Sequence, residues 1–212
     1  LIQANISDKN NFDLIATNVL GNYGRIFSEY VFLKDFRNEK LANYISINGQ
    51  KYLDDIIKKQ KKVVFISGHF NNFELMAMQL EKYGVNLTAI YRPLNNIFLN
   101  KTMEKIRTHF ICKKQIKKGR SGSRELVKNF KEGSSIALMI DQRVREGISV
   151  PFFQKSCSTT TIPAQLVKKY ECEIVPIYIE RKKNHFFEMT VSQPLVFNKS
   201  LSIDDISVEL NK

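Results

Sequence analysis

Residues 63–67, Val63-Val64-Phe65-Ile66-Ser67, form a nearly unbroken apolar run of strand length. A strand with no polar side has to be covered on both faces, the situation in a mainly parallel sheet with helices on either surface. The segments that follow keep to that reading. Helical spacing is expected over 75–82, 95–109, 123–131 and 161–170, and strands over 87–91, 111–116, 135–140, 173–179 and 186–191. An alternating βα order predicts an α/β fold: a mixed, largely parallel sheet flanked by helices. Ahead of the first strand, Phe12, Ile15, Val19, Tyr23, Ile26, Phe27, Tyr30 and Val31 recur at three- and four-residue steps and predict an N-terminal helical segment over 11–34. Gly21 and Gly24 interrupt it and predict close packing or a kink. A shorter helix is expected over 50–59. Val150-Pro151-Phe152-Phe153 reads as an apolar loop. No repeat, low-complexity tract or Gly/Ser linker divides the chain, so residues 1–212 are expected to form one domain.

The chain has 212 residues, 43% of them hydrophobic and 25% charged. A domain of this size buries about 70% of its extended surface, which excludes disordered, collagen-like and disulfide-stapled classes. No stretch reaches the roughly 18 apolar residues of a membrane span. The formal net charge is +12, and residues 101–131 hold 11 Lys or Arg against only Glu104 and Glu125. Such a field favours an anionic partner. Cys112, Cys157 and Cys172 are few and widely spaced, which suits a reducing compartment; Cys112 and Cys172 are expected in the core.

The most informative segment is Ser67-Gly68-His69-Phe70-Asn71-Asn72-Phe73-Glu74. A buried strand ends, a Gly permits a turn, and His69 stands just before a helix. Ligands of open α/β sheets bind outside the carboxyl ends of the strands. Glu74 lies five residues on, too far for a same-face helical pair, but within reach across a strand-turn-helix corner. A carboxylate on one imidazole nitrogen fixes the tautomer and raises the basicity of the other. The expected pair is therefore a two-member base with no nucleophile of its own, suited to activating a substrate hydroxyl. Neither His109 nor His185 offers zinc-ligand spacing beside it, so no metal is expected. Tyr91-Arg92-Pro93-Leu94-Asn95-Asn96 and Asp141-Gln142-Arg143 follow later strands in the same manner. A base, an Arg, amide donors and an apolar wall together suit acyl transfer to a large amphiphile.

The chain resembles the late acyltransferases of lipid A biosynthesis, the lauroyl/myristoyl transferases acting on Kdo-lipid A. The resemblance runs from about Leu14 to Pro194. It rests on Gly68-His69-x-x-Asn72-x-Glu74, Tyr91-Arg92-Pro93 with Asn95-Asn96, Asp141-Gln142 followed by Val150-Pro151-Phe152-Phe153, and Val175-Pro176. It implies a glycerolipid-acyltransferase-like fold and one-step transfer of a fatty acyl chain from acyl-carrier protein to a hydroxyl of a lipid A precursor. In that reading His69 deprotonates the hydroxyl and Glu74 holds the His. Backbone amides or Asn72 steady the oxyanion, and Asn72, Arg92, Asn95, Arg124, Asp141 and Gln142 contact substrate. Arg92, Arg107, Arg120, Arg124 and Lys128 are candidates for phosphate. No cofactor is implied. The implied partners are acyl-carrier protein, a phosphorylated glycolipid acceptor and an anionic membrane surface, at the cytoplasmic face of the bacterial inner membrane.

Three positions depart from the family pattern: Asn71 and Gln154 stand where Gly is usual, and Phe73 where Trp is usual. The family's N-terminal membrane anchor and C-terminal Arg/Trp segment are not evident, so the chain is expected to be trimmed at both ends. Same-fold transfer to a glycerolipid, aminolipid or mannolipid stays open, as does non-catalytic lipid binding. A nucleic-acid module is disfavoured, because no recognition motif or interleaved Tyr accompanies the basic stretch.

Overall fold

The structure, a computed structural model, describes residues 11–183 and 185–212, with the side chain of Arg120 outside that description. Seven strands form one sheet in the order β1-β9-β8-β2-β5-β3-β4. These are β1 (Ile45–Asn48), β2 (Val64–Ser67), β3 (Leu87–Tyr91), β4 (Lys114–Lys117), β5 (Ser135–Met139), β8 (Ile174–Arg181) and β9 (Phe187–Val191). Strands β8, β2, β5, β3 and β4 run parallel, and β9 returns antiparallel to β8. The sheet is thus mixed and largely parallel, as the alternating pattern predicts.

Strand β2 sits at the centre, and its side chains divide between two cores. Phe65 joins Leu75, Met78, Val175 and Met189 on one face, beneath α3 (Gln50–Lys58) and α4 (Glu74–Lys82). Val64 and Ile66 join Ile136, Leu166 and Ile206 on the other, beneath α6 (Arg120–Lys131), α7 (Ile162–Tyr170) and α8 (Ile203–Leu210). This double coverage is why the strand carries no polar side. Cys112 is buried in the first core, and Cys172 packs half-buried on the second.

Four expectations need correction. The N-terminal helical stretch is broken: α1 (Phe12–Glu29) passes through a 3-10 turn at Tyr30–Phe32 into the short α2 (Leu33–Arg37). Gly21 and Gly24 do not mark close packing, since a Cβ at either would meet nothing within 4 Å. The expected strand at 111–116 begins only at Lys114. Helix α5 (Ile97–Ile106) runs on instead into a π-helical turn, Arg107–Ile111. The supposed apolar loop is the first strand of an antiparallel hairpin, β6 (Ile148–Phe152) with β7 (Lys155–Thr159). The pattern also gave no sign of β1 or α8; α8 begins with a Ser202–Asp205 capping box.

Candidate active site

Parallel pairing places Ser67 at the end of β2 beside Met139 at the end of β5. His69 and Asp141 each lie two residues further on, so the register brings them together. The Asp141 carboxylate receives two hydrogen bonds from His69: the backbone N–H donates to Oδ2 and the ring Nδ1 to Oδ1, each at 2.8 Å. Gly68 makes room for this clasp, because a Cβ there would stand 3.2 Å from Asp141 Oδ2. Phe73 meets the imidazole edge-on at 4.8 Å between ring centres. Burial raises the Asp141 pKa, but the bonds from the His69 ring and backbone outweigh it and hold the carboxyl below its ordinary range. With Nδ1 tied down, Nε2 has no partner among the described residues.

The expected hydrogen bond between His69 and Glu74 does not form. Glu74 is 7% exposed and faces elsewhere. Its Oε1 accepts from Arg107 Nε at 2.9 Å and Nη2 at 2.5 Å, and from the Tyr30 hydroxyl. The physical reason is position: as the first residue of α4, Glu74 turns toward the π turn that carries Arg107 and the 3-10 turn after α1 that carries Tyr30. Burial, then the Glu74 charge, raises the Tyr30 pKa far above its ordinary value. Burial works against the Arg107 cation, yet Glu74 more than compensates and raises its pKa. A neighbouring tether repeats the theme. Glu29 accepts from Asn72 Nδ2 at 2.7 Å and from Arg181 Nη1 at 2.5 Å.

A cavity of about 360 Å³ opens at the carboxyl ends of β2, β5 and β3. His69, Arg92 and Gln142 line its polar part, with Lys117 and Lys118 at the β4 side. Its apolar part runs between the sheet and α4, past Phe65, Met76, Ala77, Ala89, Ala137 and Ile111. Ala89 and Ala137 are register partners on adjacent strands, and Ala137 is also paired with Phe65. Small side chains at paired positions leave a slot where larger ones would close the layer. On the β4 side one carboxylate oxygen, Glu104 Oε1, accepts from Tyr91 (2.6 Å), Asn100 (2.8 Å) and Lys117 (3.0 Å). The Tyr91 hydroxyl, then Lys117 and Asn100, pull the Glu104 pKa down to about 2.

Of the sequence-derived candidates, His69, Glu74, Arg92, Arg107 and Gln142 line this cavity. Asp141 adjoins it through His69 and holds the ring. Asn72 is 1% exposed and its amide nitrogen is engaged by Glu29, so it is not poised as an oxyanion donor. Asn95 and Arg124 are exposed and do not line the cavity. Arg107 is bound to Glu74 and is not a free phosphate ligand, while Lys128 stands exposed 3.9 Å from Glu132. Arg120 falls outside the described side chains. Sequence reasoning missed Tyr30 and the structural use of Arg107. Tyr30 gave only a helical-periodicity signal, and nothing local marks a pairing across 77 positions.

Two departures from the family pattern fall where the backbone explains the usual Gly. Asn71 has φ +41° and Gln154 φ +60°, in the left-handed region that glycine enters at no steric cost. Asn tolerates that region better than most residues, and Asn71 is further tied by its amide to the Ile179 carbonyl at 3.2 Å.

A family profile described as bacterial lipid A biosynthesis acyltransferase matches residues 7–212. No curated protein matches the chain.

Proposed function

The chain belongs to the bacterial lipid A biosynthesis acyltransferase family, and from that premise we propose that it moves a fatty acyl group from a thioester donor, acyl-carrier protein, to a hydroxyl of a phosphorylated lipid A precursor. The observation that carries the reading is an imidazole fixed at Nδ1 by Asp141, its Nε2 without a partner among the described residues, beside an apolar slot. In this mechanism Nε2 takes the proton of the acceptor hydroxyl as its oxygen bonds to the thioester carbonyl carbon. The tetrahedral oxyanion then collapses, the carbon–sulfur bond breaks, and the imidazolium returns its proton to the leaving thiolate. No acyl-enzyme forms. Asp141 stabilises the transient imidazolium and keeps the productive tautomer, the part a carboxylate plays in a hydrolase triad. Glu74 is a positioning residue: it fixes α4 against Arg107 and Tyr30.

The alkyl chain of the donor occupies the slot past Ala89 and Ala137, and Arg92 and Gln142 supply donors to the reacting carbonyl or the acceptor head group. The work takes place at an anionic lipid surface, on the cytoplasmic face of the inner membrane. The reading is tested with a radiolabelled acyl group on acyl-carrier protein and Kdo-modified lipid IVA as acceptor. Wild type is expected to give labelled product. His69→Ala is expected to lose about 10²- to 10⁴-fold in rate, the usual contribution of a general base. Equal product from both would remove His69 from the chemistry.

A further inference from the structure

The segments leaving the carboxyl ends of the strands carry six large apolar side chains that stand open to solvent. They are Phe70 after β2, Ile97, Phe98 and Leu99 after β3, and Phe152 and Phe153 on the hairpin after β5. Phe98 is 80% and Phe153 61% exposed. A cluster of this kind on one rim of a globular domain marks a surface that something apolar covers.

The hairpin is the most telling part. Its two-residue tip, Phe153-Gln154, has φ +45° and +60°. Tight hairpins of this form take Asn-Gly or Asp-Gly at the two central positions, because both need the left-handed region. A bulky aromatic there is a local conflict, and such conflicts mark functional constraint rather than folding need. Phe152 and Phe153 pack edge-to-face on each other at 4.7 Å, as a pair and not against the core. Both ends of the hairpin start at the cavity, since Gln142 and Val144 on one side and Thr160 on the other line it.

The same rim is cationic. Arg143, Arg145 and Lys155 flank the hairpin against Glu146 and the His69-bound Asp141, and Arg92 and Lys101 accompany the β3–α5 segment. Apolar tips among exposed cations fit the boundary of an anionic bilayer, where rings enter the acyl region and cations stay with the head groups.

We propose that this rim is the lipid-docking face of the protein and that the Phe152–Phe153 hairpin tip is its membrane-penetrating wedge, holding the cavity mouth against an anionic bilayer. The proposal rests on the functional reading above only for why the cavity should face lipid.

The chain has no tryptophan, so a single introduced Trp reports on its own position. Phe153→Trp is mixed with vesicles of phosphatidylglycerol and phosphatidylcholine, and its emission followed. Val196→Trp is the control: Val196 is 78% exposed but lies beside Leu195, which bridges Ile174 at the opposite, amino-terminal end of the strands. The expected result is a blue shift, and quenching by brominated acyl chains, for Trp at 153 and neither at 196. A second arm uses Phe152→Ser with Phe153→Asn, which relieves the backbone conflict. Sedimentation with the same vesicles should weaken by about tenfold or more, from lost apolar burial, while the melting temperature stays level or rises. Equal emission at both positions, a shift at 153 that needs only higher protein concentration, or wild-type sedimentation by the double variant would overturn the proposal. His69→Ala should bind vesicles as wild type does; a wild-type chain that docks but transfers no acyl group would refute the enzymatic reading and leave this one standing.

Discussion

Residue 69 is useful only in the company of residue 141. A neutral imidazole with both nitrogens in water samples two tautomers and many rotamers, whereas the Nδ1 bond to Asp141, a carboxylate itself held by the His69 backbone N–H, selects one of each. Asp141→Asn keeps the size and one acceptor but removes the charge that favours an imidazolium. Its kcat is expected to fall about 10- to 10³-fold with little change in KM, since the charge matters only once the proton has moved. Glu74→Gln acts differently. It leaves the nearly buried Arg107 guanidinium without a counter-charge, so a loss of about 3 kcal/mol in denaturant midpoint stability is expected. Turnover per folded molecule should change far less. Tyr30→Phe should cost about 1.5 kcal/mol, the low end for a hydrogen bond to a charged group. Both His69 and Asp141 could be read from the sequence as residues just past a strand end. Their pairing could not, because it depends on which strand lies beside β2 and in what register.

At the scale of elements, the slot depends on what adjacent strands omit. Ala89 and Ala137 face α4 where the core elsewhere presents Phe65, Met76 and Met78. Ala137→Leu is expected to fill the slot. Overpacking of this kind costs about 1–3 kcal/mol, and the surviving enzyme should prefer shorter acyl donors in competition assays with mixed chain lengths. Most elements were legible in the sequence because each buries a continuous apolar stripe or run, as β2, α4, β5 and α7 do. Those that were missed have different causes. β1 is four residues long with alternating half-burial and gives no run to detect. The hairpin turns on two residues without glycine, so the usual turn signal is missing. The π turn adds a residue to a helix by a hydrogen-bond shift that leaves no mark in composition; Arg107, its first residue, is the one that meets Glu74.

For the whole molecule, the parallel sheet gathers the ends of β2, β5 and β3 around one cavity and brings His69, Arg92 and Gln142 to it, although they lie far apart in the sequence. The pH behaviour follows from the same clasp. Asp141 has a folded pKa below its unfolded value, so the stability it contributes is complete above the ordinary carboxylate range, near pH 4, and is lost as pH falls through the lowered folded value. Thermal melts of Asp141→Asn should therefore approach those of wild type as the pH drops from about 4 toward 2. The claim on which the account depends is that His69 works as a base oriented by Asp141, with Glu74 in support. The most direct measurement is single-turnover acyl transfer by His69→Ala, Asp141→Asn and Glu74→Gln, each normalised to folded protein. Loss of the chemical step in the first two, with Glu74→Gln near wild type per folded molecule, is the predicted result. A folded Glu74→Gln enzyme that is inactive beside a fully active Asp141→Asn would contradict it.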